Sequence, residues 1–338
     1  WTEINQRLAT ESSLSFDTME IRPRSFPSYY ILLYVIISLF TFRDLEEKDG
    51  AETQIFLRFL SIAYAQEPPS CNFKDLINGM ILSIPSSEVS LSTLLDGNTT
   101  SPEIKARDWL VNDSRQWCSE SFVKKKHDFQ NRYNLALFYY TLNGDKWTEC
   151  SAHVSTRCTS TRYLDGADEC LWFGNTCDEK KNLVKISLSA NNLEGTLPHL
   201  LSEFPFLASI NLDSNSLRGI IPPSLASLQN LNRLDLDNNK LRGTIPVEIF
   251  DLLKLEILDI DNNFLTGTIS SKISKLTLLS YISIKFNSFT GTIPQAISSL
   301  KKLKIFLLEG NKFSGNISGR LCDLFKLGEL KHLHADCV

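Results

Sequence analysis

The chain has 338 residues, 42% of them hydrophobic and 22% charged, with a formal net charge of −4. That length bounds one large or two ordinary domains, and the composition is that of a chain that folds around a core. The acidic balance excludes nucleic acid as the main partner, since phosphate binding needs a basic face, and the dense basic run Lys124-Lys125-Lys126 reads as a solvated helix start.

Residues 1–28 are expected to form a short cytoplasmic segment. Residues 29–42 read YYILLYVIISLFTF, without a charge. This is short of the ~20 residues that a spanning helix needs, and residues 25–28 lengthen it to a marginal span. Arg22 and Arg24 precede it, while Arg43 is followed by Asp44, Glu46 and Glu47. The basic flank stays inside, which sends the C-terminal part out. Three readings stand: an uncleaved signal anchor, a removed signal peptide with Ala63-Tyr64-Ala65 as its cleavage pattern, or a buried core helix. The first two leave the rest of the chain outside the cytoplasm, membrane-anchored or secreted. Residues 43–100 read as a weakly ordered linker. The chain begins with Trp1 and stops just after Cys337, at Val338, so it is expected to be a piece of a longer product.

Residues 101–182 are expected to form a helical, Cys-containing N-terminal cap. One helix is predicted over 101–111, with Pro102 near its first turn. A second, amphipathic helix is predicted over 129–142, stopped by Asn143-Gly144. The cysteines are Cys71, Cys118, Cys150, Cys158, Cys170, Cys177, Cys322 and Cys337, and none falls between 177 and 322. Cysteines that bracket a stretch without entering it point to stapled ends in an oxidising compartment, though spacing does not reveal their pairing. Sequons at Asn98, Asn112 and Asn316 agree with that compartment. Cys150, His153 and Cys158, and likewise His332, His334 and Cys337, have zinc-ligand types at short spacing. The oxidising context favours disulfides instead, so neither metal nor cofactor is expected.

From residue 183 the sequence repeats. Leu183, Leu207, Leu231, Leu255, Leu279 and Leu303 recur every 24 residues. Copy three, 231–254, reads LNRLDLDNNKLRGTIPVEIFDLLK. Asn191, Asn215, Asn239, Asn263, Asn287 and Asn311 share one column, and Gly195, Gly219, Gly243, Gly267, Gly291 and Gly315 another. A fixed period of this length means a solenoid. In the LxLxL stretch side chains alternate across a strand, so Leu231, Leu234 and Leu236 face inward, each contributing about 1.5–3 kcal/mol on burial. The asparagines are expected to form a ladder that satisfies backbone groups stranded in a buried turn, and the glycines to permit the following bend. Proline then starts a convex return through a short helical segment. The predicted fold is α/β: a leucine-rich-repeat solenoid over 183–326 with a parallel concave sheet, closed by a short C-terminal cap at 327–338. The 129–142 helix is expected to cover its open first coil.

The third, fifth, seventh and eighth positions of each copy are predicted to line the concave sheet. They gather Asp213, Asp235, Asp237, Asp259 and Asp261 into an acidic zone in the middle copies. Beside it stands an apolar strip of Ile257, Tyr281, Phe286, Ile305 and Leu307. Arg233, Lys285 and Glu309 complete the face. Like charges about 4.8 Å apart repel, which a cation or a basic partner would relieve, and contiguous exposed apolar area marks a contact site. The plainer alternative is soluble filler beside a strip packed under the C-terminal cap.

The L-x-G-x-I-P motif inside a 24-residue repeat resembles the plant-type leucine-rich repeats of receptor-like kinase and receptor-like protein ectodomains and of polygalacturonase inhibitors. Cys170, Trp172, Gly174 and Cys177 match that family's cap motif, C-x-W-x-G-x-x-C. SPEIKARDWLVNDS (101–114), RYNLALFYYTLNGDKWT (132–148) and LHADC (333–337) are similar to stretches flanking the repeats of receptor-like proteins of diatoms. The resemblance implies a Cys170–Cys177 bond and a Cys322–Cys337 bond, with Cys150 and Cys158 a weaker pair. It also implies an extracellular, non-catalytic recognition role. Nucleophile elbows, zinc-protease helices and phosphate-binding loops are missing from the sequence. The expected partner is a peptide or protein with basic and apolar character. A secreted inhibitor of a wall-degrading glycosidase, and an adhesive protein that binds wall polysaccharide, are the alternatives.

Overall fold

The computed structural model describes residues 101–112, 126–153, 155–316, 319, 321–322 and 330–334. The apolar segment at 29–42, Asn98 and Cys71, Cys118 and Cys337 lie outside them. No helix among the described residues is long and apolar enough to cross a membrane.

Two helices open the described chain, α1 (Pro102–Asn112) and α2 (Lys126–Thr141), close to the predicted spans. The α2 helix is not amphipathic in its surroundings: from Phe129 to Tyr139 every residue except Gln130 is buried. It is enclosed because α1 packs on it, an aromatic cluster of Tyr139, Trp147 and Tyr163 gathers beside it, and its far end meets the first coil. There Glu194 N donates to Leu142 O at 3.2 Å and Asn143 Nδ2 to Glu194 Oε2 at 3.1 Å. Arg132 runs through this cap. Its guanidinium sits 5.1 Å from the Trp109 ring and 5.0 Å from the Trp172 ring, and donates to Ala167 O, Asp165 O and Glu169.

Two disulfides hold the cap, Cys150–Cys158 and Cys170–Cys177. Cys322 carries a free thiol; its expected partner, Cys337, lies outside the described residues. The strand β1 (Asn175–Cys177) runs antiparallel to β2 (Leu183–Ser187) and closes the edge of the main sheet.

Beyond β2 every coil contributes one parallel strand to the concave sheet: β4 (Ser209–Asn211), β6 (Arg233–Asp235), β8 (Ile257–Asp259), β10 (Tyr281–Ser283) and β12 (Ile305–Leu307). A further strand, β14 (His332–His334), follows β12 in parallel, so among the described residues the sheet has eight strands. The inward leucines are buried as predicted, with Leu231, Leu234 and Leu236 all at 0% exposure.

A second parallel sheet, not foreseen from the sequence, runs through the glycine column: β3 (Glu194–Thr196), β5 (Ser216–Gly219), β7 (Lys240–Gly243), β9 (Phe264–Gly267), β11 (Ser288–Gly291) and β13 (Lys312–Phe313). The glycines serve close stacking as well as the bend. A Cβ at Gly267 would lie 2.6 Å from Thr244 Cγ2, and one at Gly291 2.9 Å from Thr268 Cγ2, with φ at +84° and +76°. In copies one to five the convex return is a short 3₁₀ segment, as at Val247–Asp251.

The asparagine ladder is present. Asn239 Nδ2 donates to Leu212 O, Leu236 O and Asp237 O at 2.9–3.1 Å, and its Oδ1 accepts from Leu217 N at 2.9 Å. Asn215, Asn263, Asn287 and Asn311 repeat the pattern.

Candidate functional site on the concave sheet

Parallel pairing at one register stacks equivalent positions of successive copies. The third positions align Arg233, Ile257, Tyr281 and Ile305, and the fifth align Asn211, Asp235, Asp259, Ser283 and Leu307. The seventh positions follow through backbone bonds that link Ser214 to Asp237 and Asn238 to Asp261. Each predicted concave residue therefore lies on this face, and both zones are contiguous.

Their exposure departs from expectation. Asp235, Asp259 and Asp261 are 5%, 9% and 3% exposed, buried rather than solvent-facing. Two-residue alternation tells which face a side chain takes but not what leans over it from the next strand. Arg233 pairs with Asp235, Tyr281 donates its hydroxyl to Asp259 Oδ2 at 2.9 Å, and Ser283 donates to Asp261 Oδ2 at 2.7 Å. Lys285 reaches Asp261 at 3.7 Å. Asp213 and Asp237 remain partly exposed.

The apolar strip is also more sheltered than predicted. Ile257, Tyr281, Ile305 and Leu307 are half-buried. The last two lie between β10 and β14, opposite His332 and His334. Phe286 alone among the strip is exposed, at 52%. Its φ of +50° is left-handed, a region costly for a bulky side chain. The equivalent position holds Ala190, Ser214, Asn238, Asn262 and Gly310 in the other copies. The Phe286 ring lies over Gly310, where a Cβ would meet Phe286 Cδ1 at 2.4 Å.

The electrostatics follow from burial and crowding. Burial, then the Asp261 and other neighbouring carboxylates, raises Asp259 to about 7. Burial and Asp235 raise Asp237 to about 6. Asp235 is raised by burial against the opposing pull of Arg233. Two carboxylate oxygens here, Asp235 Oδ1 and Asp237 Oδ1, are buried without a hydrogen-bond partner, and so is Glu309 Oε2 at the apolar end. The charge column was visible in the sequence; these unpaired oxygens were not.

Of the sequons, Asn112 is exposed at the end of α1 with its Nδ2 bonded to Asp108 O, and Asn316 is exposed after β13.

Residues 181–241 and 254–313 match the family model described as leucine rich repeat. The chain has no match among curated proteins. Among solved structures it is similar to that of PEPR1–AtPEP1, at 32% identity and a TM-score of 0.46 over 49% of this chain. It is also similar to the Arabidopsis receptor kinase HAESA in complex with the peptide hormone IDA and the co-receptor SERK1, at 34% identity and a TM-score of 0.46 over 49% of this chain. The ectodomain of the Arabidopsis receptor kinase SOBIR1 is similar at 26% identity and a TM-score of 0.43 over 46% of this chain. The match spans 23% and 28% of the first two of those chains and 89% of the third.

Proposed function

From a chain that is a leucine-rich-repeat protein, with repeats over 181–241 and 254–313, we infer a non-catalytic extracellular recognition module whose concave sheet binds a peptide or protein segment with basic and apolar character. Phe286 carries the reading. A strained backbone persists where the surrounding structure enforces it and clusters at ligand clamps. Here the strain presents an aromatic ring to solvent at the border of an acidic zone and a half-buried apolar one. Large aromatics in such settings are the usual anchors of binding energy. Asp213 supplies the attraction for basic side chains, and Ile257, Ile305 and Leu307 the apolar floor.

The cap disulfides support an oxidising compartment, and exposed Asn112 and Asn316 suit glycan attachment. The N-terminal apolar segment is proposed as the membrane anchor, or as the leader of a secreted form. A polysaccharide platform is less favoured, because Tyr281 is committed to Asp259, which leaves a single ring free for stacking.

The test is selection of basic–apolar peptides from a displayed library on the full chain, followed by affinity measurement on variants. Phe286→Ala and Asp213→Lys are each expected to weaken the selected peptide about tenfold or more. Equal affinity for wild type and both variants overturns the concave reading.

A further inference from the structure

We propose that Asp235, Asp237 and Asp259 hold one hard divalent cation of the calcium class on the concave sheet. The three come together through the strand register. Asp235 and Asp259 are direct partners on β6 and β8, and Asp237 follows Asp235 by two residues, the period that keeps a side chain on one face. One carboxylate oxygen from each lies within 4.8 Å of the others. Oxygen ligands sit 2.3–2.6 Å from calcium, so a single ion spans the set.

A second observation points to a ligand. Asp235 is 5% exposed, and its Oδ1 has no hydrogen-bond partner, nor has Asp237 Oδ1. Buried polar atoms are normally paired. The protein's own cations are directed elsewhere: Arg233 pairs with Oδ2 of Asp235 and Lys285 with Oδ2 of Asp261. Asp261 is further engaged by Asn262 and Ser283 and is not among the three whose oxygens come together.

The chemistry selects the ion. All donors are carboxylate oxygens, with no histidine or cysteine in the group, which suits a hard cation rather than zinc. Calcium accepts irregular oxygen sets and completes its shell with water, whereas magnesium demands a near-ideal octahedron. The fifth position holds aspartate in copies three and four alone, against Ser187, Asn211, Ser283 and Leu307 elsewhere, so the site belongs to the junction of those two coils.

This inference does not depend on the peptide reading. The test is calorimetric titration of the chelator-stripped full chain with calcium chloride, with thermal unfolding measured in parallel. One saturable equivalent and a calcium-dependent rise in Tm are expected. Asp237→Asn and Asp259→Asn keep size and fold, and each is expected to weaken binding at least tenfold and to abolish the rise. Absence of saturable binding up to about 10 mM, roughly tenfold beyond the weak limit of extracellular sites, or equal binding by wild type and both variants, overturns the site. Peptide affinity through Phe286 is read separately, so failure of either reading leaves the other measurable.

Discussion

The Phe286 ring occupies the space that a side chain at Gly310 would need. Copy six thus yields its eighth position to the residue that copy five projects into solvent. Replacing Phe286 by Asn, a residue at ease with φ near +50°, should stabilise the protein by about 1 kcal/mol through relief of strain. It should also abolish peptide binding. Urea unfolding beside an affinity measurement checks both, and a variant that is neither more stable nor weaker in binding contradicts the assignment.

Thr244 and Gly267 form a steric pair between neighbouring coils. Gly267→Ala is expected to destabilise by about 1–3 kcal/mol, from a Cβ 2.6 Å from Thr244 Cγ2 and from the left-handed φ. Adding Thr244→Ser removes the colliding methyl and should restore part of the loss. A double-mutant cycle reads the coupling, and strict additivity would show that the two coils do not press on each other here.

Asn239 satisfies three carbonyls and one amide in the buried turn. Asn239→Ala strands them, at about 1–3 kcal/mol for each group left unmet, and is expected to cost about 3–5 kcal/mol in all. Chemical denaturation measures it. A loss under 1 kcal/mol would mean that water replaces the amide.

Stability should also depend on pH in the presence of a chelator. Asp259 titrates near 7 and Asp237 near 6, and Asp235 is raised as well. Each binds its proton more tightly folded than unfolded. Their contribution is therefore complete below the ordinary carboxylate pKa of about 4 and is lost as pH rises through about 6 and 7. Melting temperatures from pH 4 to 8 should fall more steeply for wild type than for Asp259→Asn. Parallel curves would show that the carboxylate is solvated.

The repeat was legible because its signals are redundant: the leucine, asparagine and glycine columns each recur every 24 residues and agree on one register. The second sheet was not. Its strands are two to four residues long and all but β13 carry glycine, which a strand pattern read alone treats as a break. Arg132 was equally hidden, since a lone arginine in a helix reads as a surface residue until Trp109 and Trp172 close over it. At the site, the choice of face was readable from alternation, whereas the depth of Asp235, Asp259 and Asp261 depends on Arg233 folding back along its own strand and on Tyr281 and Lys285 reaching across from the next coil.

The asparagine ladder has a direction. The Asn239 Oδ1 accepts from Leu217 and its amide reaches Leu212, both in the preceding coil, so each rung holds the turn upstream of it. Damage at one rung is first felt toward the N-terminus, as faster amide exchange at Leu217 when Asn239 is lost. The series ends where Asn191 grips Glu149 on both its amide and its carbonyl. The cap is therefore the bottom rung of the same ladder, and the Cys150–Cys158 staple beside it anchors a chain of dependence that runs one way through the array.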